Sequence, residues 1–189
     1  MPLFTWGNKK LPKTTAIFNM TSATACPANL LNLCQLAEPD KYCYARKAER
    51  MYKNALAHRL RQMDFWSTCS PCSFVTALME EKKRKHIRKL RFNEAGDFIS
   101  QNSVVKAETI AKLLYKGYGV ETYCYTARSD LDFKSRKFLI INGSGFMIDN
   151  NFTIVKRGQS VGKHVCPQNC RLCTWCSERK KRIIYVEMH

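Results

Sequence analysis

The sequence predicts an α/β protein: a reduced or open TIM-barrel-like parallel sheet with helices, carrying cysteine-rich cluster loops at the C-terminal ends of the strands. Three observations predict it. Six short β-rich runs recur along the 189 residues, at Thr15–Met20, Leu90–Asn93, Val120–Thr126, Lys137–Ile141, Phe152–Val155 and Ile183–Val186. Several of the intervals between them have helical spacing, and strands that alternate with helices pair in parallel through right-handed crossovers. The chemistry-bearing residues fall just after the strands, where parallel α/β sheets bind their ligands. Six strands are too few for a closed eight-fold barrel, and a flat doubly wound sheet is the second architecture.

The elements follow in order. Thr15–Met20 is a buried strand running into a small-residue loop, Thr21–Ala28, that opens a first cysteine group. From Tyr44, residues Ala45, Ala48, Tyr52, Ala55, Leu56 and Leu60 recur at helical spacing between Arg and Lys. Ser73–Lys89 predicts a helix with an apolar start, Phe74 and Leu78, and an almost wholly cationic end. Strand Leu90–Asn93 leads into the polar turn Glu94-Ala95-Gly96-Asp97. Ser103 caps a helix with Val104, Ala107, Ile110, Ala111 and Leu114 on one face, ended by Gly117 and Gly119. Asn142-Gly143 closes the fourth strand. The length fits one domain over residues 1–189, with cysteine-rich segments 26–43 and 166–176.

Charge narrows the function classes. Lys and Arg total 32 against 15 Asp and Glu, a formal net charge of +17. Such self-repulsion is best tolerated beside a polyanion, so nucleic acid is the expected partner. A membrane is not expected, since no apolar run reaches spanning length. Met1–Lys13 lacks an apolar signal region, which predicts a cytoplasmic setting, the host cytoplasm for a viral protein. The sharpest basic run is Lys82, Lys83, Arg84, Lys85, Arg88 and Lys89. Arg179, Lys180, Lys181 and Arg182 form a second. Both are expected to contact phosphate, the second with charge balance at the cysteines as its alternative role. Trp66 and Trp175 are either stacking surfaces or shielded core residues.

Ten cysteines in a reducing compartment point to metal rather than disulfides. Cys166, Cys170, Cys173 and Cys176 put four thiols within eleven residues, without the long loop that separates the two knuckles of structural zinc. The compact run is close to the ferredoxin type in reverse order, and its first three cysteines have the spacing of radical S-adenosylmethionine enzymes. Cys26, Cys34 and Cys43 form the second group. The two groups either share one [4Fe–4S] cluster or hold separate metals, zinc being the alternative at one of them. His164 is a candidate accessory ligand. Cys69-Ser-Pro-Cys72 supplies spare thiols, accessory ligands or a redox pair, and Cys124 is a buried structural thiol.

Glu94 and Asp97 flank Gly96 at a strand end, and Arg128 follows the next strand. As cofactor-binding residues they would hold an amine, a carboxylate or a phosphate, S-adenosylmethionine included. The structural alternatives are a turn cap for Asp97 and an ion pair with Asp130 or Asp132 for Arg128. With parallel strands, the cysteine loop, Glu94, Asp97, Arg128, Asn142, Ser144 and the late cysteine run all converge on one rim.

Cys26-Pro27, Cys34, Cys43-Tyr44-Ala45, the stretch Arg91-Phe92-Asn93-Glu94-Ala95-Gly96-Asp97-Phe98, Tyr125-Thr126-Ala127-Arg128 and the closing cysteine block together resemble the bacteriophage gene-product-88 family, over roughly residues 15 to 176. The resemblance implies a phage or mobile-element setting, a barrel-like fold distantly similar to radical S-adenosylmethionine barrels, and a [4Fe–4S] cluster; it supplies no reaction. Three functions compete: a cluster protein that binds nucleic acid, a radical S-adenosylmethionine-like enzyme, and a zinc-stabilised module that engages a protein of a host or viral nucleic-acid machine.

Overall fold

In a computed structural model, which describes residues 2–34, 43–81, 86–156, 158–159 and 164–187, the chain forms one seven-stranded sheet. The strands are β1 (Thr5–Trp6), β2 (Thr15–Phe18), β3 (Lys89–Phe92), β4 (Glu121–Thr126), β5 (Leu139–Ser144), β6 (Asn150–Val155) and β7 (Ile183–Glu187). They lie side by side in sequence order. β1 pairs antiparallel with β2, and every later pair is parallel. A doubly wound sheet needs a point where strand order reverses, and this order has none. The expected parallel α/β sheet therefore stands, but its pairing leaves it open rather than closed into a barrel.

The helices are α1 (Pro27–Leu30), α2 (Tyr44–Met51), α3 (Lys53–Thr68), α4 (Pro71–Glu81) and α5 (Gln101–Tyr118). Alternation along the strands separates two faces. Ala16, Phe18, Leu90, Phe92, Cys124, Leu139 and Ile141 enter the main core with Trp66, Phe74, Leu78, Ile110 and Leu114 from α3, α4 and α5. Strands added always on one side through right-handed crossovers put their helices on that one face. Its centre is aromatic: Phe18 meets Phe74 edge-on at 4.8 Å, and Phe92 meets Trp66 at 5.7 Å. Cys124 is fully buried there, the structural thiol expected of it.

Five expectations are corrected. Asn142-Gly143 does not close its strand but lies inside β5, which runs on to Ser144 and pairs there with β6. A short first strand, Thr5–Trp6, pairs with β2, and two residues are too few to show an alternating pattern. The helix expected from Tyr44 breaks at Tyr52, whose backbone is extended at φ −124° and ψ 99°. The break brings Glu49 within 2.9 Å of Arg59. In an unbroken helix those side chains, ten residues apart, would sit about 15 Å apart along the axis. The cationic helix expected to reach Lys89 ends at Glu81 among the described residues, and Lys89 already belongs to β3. Lys82, Lys83, Arg84 and Lys85 lie outside the described residues. Finally, α5 is capped by Ser100, and Ser103 is buried in its first turn.

Candidate metal centre

The first cysteine group hangs from the end of β2. Its loop is anchored by Glu49 of α2, whose carboxylate accepts hydrogen bonds from the Ala23 amide (2.7 Å), the Thr24 amide (3.0 Å), the Thr24 hydroxyl (2.9 Å) and Arg59 (2.9 Å). Burial raises the Glu49 pKa, but the Ala23 amide, Arg59 and Thr24 outweigh it and hold the carboxyl below its usual range. Cys26 follows this loop and precedes α1. Its thiol interacts electrostatically with Cys34 and is pushed up to about 12, by burial first and then by Asp97. Cys43 packs against the small cluster of Ala23, Ala45 and Ala95, so the same loop supports it.

Asp97 ties this loop to the next two strands. Gly96, at φ +71°, lets the turn after β3 press against Thr21. A Cβ at this position would lie 2.1 Å from the Thr21 hydroxyl and 2.4 Å from its carbonyl oxygen. The Thr21 hydroxyl accepts from the Asp97 amide at 3.1 Å. The Asp97 carboxylate accepts from the Thr126 hydroxyl at 2.6 Å, the Ala127 amide at 2.7 Å and the Phe98 amide at 2.8 Å. Arg128 grips both Asp130 oxygens at 2.8 Å and donates to the Phe98 and Ile99 carbonyls. Glu94 accepts from the Asn8 amide group at 2.6 Å, and its carbonyl accepts from Tyr44. The turn-cap and ion-pair roles weighed for Asp97 and Arg128 are thus both realised at the C-terminal edge of the sheet.

Two measurements follow. Gly96→Ala is expected to cost about 2–4 kcal/mol, since it adds a steric clash to left-handed backbone strain, read by chemical denaturation. Burial pushes Asp97 up to about 6, against its hydrogen bonds and Arg128. The folded state therefore holds an extra proton between the ordinary value of 3.8 and about 6, and the stability that proton provides is lost as pH rises through that window.

The late cysteine block occupies the sheet face opposite the helices. It is tied down at several points: the Cys166 amide to the Tyr185 carbonyl at 2.8 Å, the Cys170 amide to the Lys10 carbonyl at 3.1 Å, and the Cys176 carbonyl to the Asn142 side chain at 2.9 Å. Asn142 is held in turn by Asn150 at 3.0 Å, and Asn150 also reaches the Glu178 carbonyl at 2.7 Å. Both asparagines are fully buried, so this pair clamps the block where sequence suggested only a strand end. Tyr125 lies beside Cys176 and lowers its pKa in part. Cys176 is pushed up to about 12, by burial first and then by Cys166 and Cys170. Burial also raises Cys170, with Cys166 and Cys173 adding to it.

Arg91 is a cation of this face close to the thiols. Its guanidinium lies 4.8 Å over the Tyr125 ring and interacts with Cys170 and Cys176 on one side and with Tyr44 and Glu94 on the other. It stands between the rim and the late block, and periodicity alone marked it only as a strand residue. His164 stacks edge-on against Trp175 at 5.0 Å, while Trp66 is buried in the core. Among the described residues, no three Cys, His, Asp or Glu side chains are drawn tightly enough together to hold an ion as they stand. The donor set nonetheless suits a metal: half-buried thiols that hold one another's pKa up are ones a cation would ionise, and four soft sulfurs fit an iron–sulfur cluster or zinc.

The cationic candidates divide. Arg88 is exposed, whereas Lys89 bonds Ser177 at 2.5 Å and Glu121 at 3.4 Å. Lys180 is exposed, while Arg179 donates to the Leu139 carbonyl at 2.8 Å, Arg182 pairs with Glu178 at 2.9 Å and Lys181 bonds the Ile148 carbonyl. Among the described residues, no helix is long and apolar enough to cross a membrane.

Searches of the curated proteins and of the solved structures return no match. Against protein families, residues 2–142 match gene product 88, a stretch that takes in the first cysteine group, the Gly96–Asp97 turn, Arg91 and Arg128 and stops before Cys166. The late block thus lies beyond the matched stretch, although the sequence resemblance extended to it. With that coverage, the chain belongs to the gene product 88 family, a phage-type family.

Proposed function

We propose that this chain is a phage or mobile-element [4Fe–4S] protein that binds nucleic acid through its basic surface. The observation that carries the reading is the gathering of Cys166, Cys170, Cys173 and Cys176 on one sheet face, clamped by Asn142 and Asn150 and faced by Arg91. Those four cysteines would hold the cluster, with Cys26, Cys34 and Cys43 as further or separate ligands. When bound, the cluster supplies a compact redox-active or purely structural centre. Arg91 would offset its negative charge, and the asparagine clamp would fix the ligand-bearing backbone. The net charge of +17 supports the polyanion partner, with Arg88 and Lys180 exposed to meet it.

A second reading, a radical S-adenosylmethionine-like enzyme of barrel-like descent, is favoured by the placement of the Cys26 loop after the first parallel strand, beside Asp97 and Arg128. Glu94 would then contact the cofactor amine, with Asp97 and Arg128 bracing the rim. Reductive cleavage of S-adenosylmethionine by reduced protein is the result that would select it. Zinc in place of iron would select the interaction module.

The nucleic-acid half is tested by fluorescence anisotropy with a labelled oligonucleotide across a salt series. The expected result is an affinity that falls linearly on logarithmic axes with a slope of several ions, as phosphate contacts release counterions. Absence of binding at low salt contradicts it.

A further inference from the structure

A cleft of about 550 Å³ opens between the β4–β5 loop, the β5–β6 connection and the segment after the late cysteines. It adjoins the main core, through Phe133, Phe146 and Ile148, and neither cysteine group lines it. The β5–β6 connection is short because Gly143 admits the Phe146 carbonyl, which would lie 2.2 Å from a Cβ. This places Phe146 and Met147 on the cleft wall.

Cations line the same cleft. Lys134, Arg136, Arg179 and Lys181 line it against two acids, Asp132 and Asp149. Asp149 is already engaged: its carboxylate pairs with Arg136 and, at 3.8 Å, with Arg179, and accepts the Ile141 amide at 2.9 Å. Arg136 and Arg179 both donate to the Leu139 carbonyl, at 3.3 and 2.8 Å, which draws the two guanidiniums together. The Arg136 side chain is only 9% exposed, and its Nε has no hydrogen-bond partner. Four cations against two carboxylates leave the cleft lining with a surplus of positive charge. An anion resolves that imbalance.

The volume exceeds what a bare phosphate needs and falls in the range of small-molecule sites. A cleft that gathers four cations together with a half-buried phenylalanine and Met147 matches a ligand with a charged end and a flat aromatic end. We infer that the cleft holds a single nucleotide, its phosphate on Arg136, Arg179, Lys134 and Lys181 and its base against Phe146 and Met147. The nucleotide is either free or the phosphorylated end of a strand. The strand form rests on the nucleic-acid reading above, and the free form stands without it.

Calorimetry on the full chain at low salt tests this with adenosine 5′-monophosphate, adenosine, ribose 5-phosphate and a 5′-phosphorylated oligonucleotide. Saturable binding of the nucleotide at least about tenfold tighter than either fragment is expected, as is a loss of about tenfold in Lys134→Gln/Arg179→Gln and in Met147→Glu. Lys134, Arg179 and Met147 are surface side chains, so these variants spare the core; circular dichroism and thermal melting verify their fold. Nucleotide binding alone assigns a free ligand, and binding of only the phosphorylated strand assigns a strand end. Absence of saturable binding by both, equal affinity for ribose 5-phosphate, or unchanged affinity in folded variants overturns the inference. Salt-sensitive oligonucleotide binding that ignores the variants would leave the basic-surface reading intact and remove only the cleft. Mononucleotide binding without any oligonucleotide binding would keep the cleft and remove the surface.

Discussion

Glu49→Ala is expected to destabilise the fold by about 3–5 kcal/mol, the usual consequence of removing one partner from a buried ion pair. The Glu49 and Arg59 side chains are 2% and 10% exposed, so the remaining guanidinium cannot recover its hydration. The same change strips acceptors from the Ala23 and Thr24 amides and the Thr24 hydroxyl. Those are the bonds that hold the loop ahead of Cys26, so loss of stability and loosening of the first cysteine group should appear together. Hydrogen exchange at Ala23 and Thr24 reports the second effect. A Glu49→Leu/Arg59→Met double variant should recover only the part of the stability that the unpaired Arg59 charge costs, because apolar replacement removes both charges but leaves the Ala23 and Thr24 amides without their acceptor. The pH dependence has a definite sign. The folded Glu49 carboxyl lies below its ordinary value of 4.5, so its contribution is present above that value and is lost as pH falls through the folded pKa. Asp97 works in the opposite direction between 3.8 and about 6. Glu49→Gln should therefore flatten the acid limb of the stability profile and leave the contribution of Asp97 in place.

Phe74→Ala is expected to cost about 3–5 kcal/mol, the range for deleting a fully buried aromatic ring. Phe74 is 0% exposed and touches Phe4, Phe18, Phe65, Trp66 and Phe92, so it joins the segment just before β1 to β2, β3 and α3 at one point. Its neighbours are ring-shaped and held by several elements, which limits how far the cavity can collapse. Phe74→Leu should cost clearly less, and equilibrium denaturation of both variants measures the difference. Equal costs would show that ring geometry contributes little there.

Much of the scaffold was legible because short buried strands and amphipathic helices carry their own periods. Thr15–Phe18, Leu90–Phe92 and Val104–Leu114 owe their places to local patterning, and parallel pairing follows from the alternation. What was not legible depends on partners distant in sequence. Tyr52 is neither Gly nor Pro, and the helix breaks there where Glu49 and Arg59 pair. Lys89 sits in a cationic run that continues the helical pattern, yet it pairs with β4 because Leu90 and Phe92 need the core. The rim residues Asp97 and Arg128 were found from their positions after strands, but their hydrogen bonds bind the strand ends together. Asn142 and Asn150 were invisible as a clamp because their partners are carbonyls in the late cysteine block. Arg136 carried no signal at all: an arginine in a polar loop is ordinary until the fold buries it.

The claim on which the proposed function depends is that the cysteines ligate iron and sulfide. The direct measurement is elemental iron and acid-labile sulfide on the full chain purified without oxygen. About four irons and four sulfides per cluster are predicted, with brown colour, and most of that content lost in Cys170→Ser/Cys173→Ser. Colourless protein carrying stoichiometric zinc, or iron content unchanged by that double substitution, would contradict it.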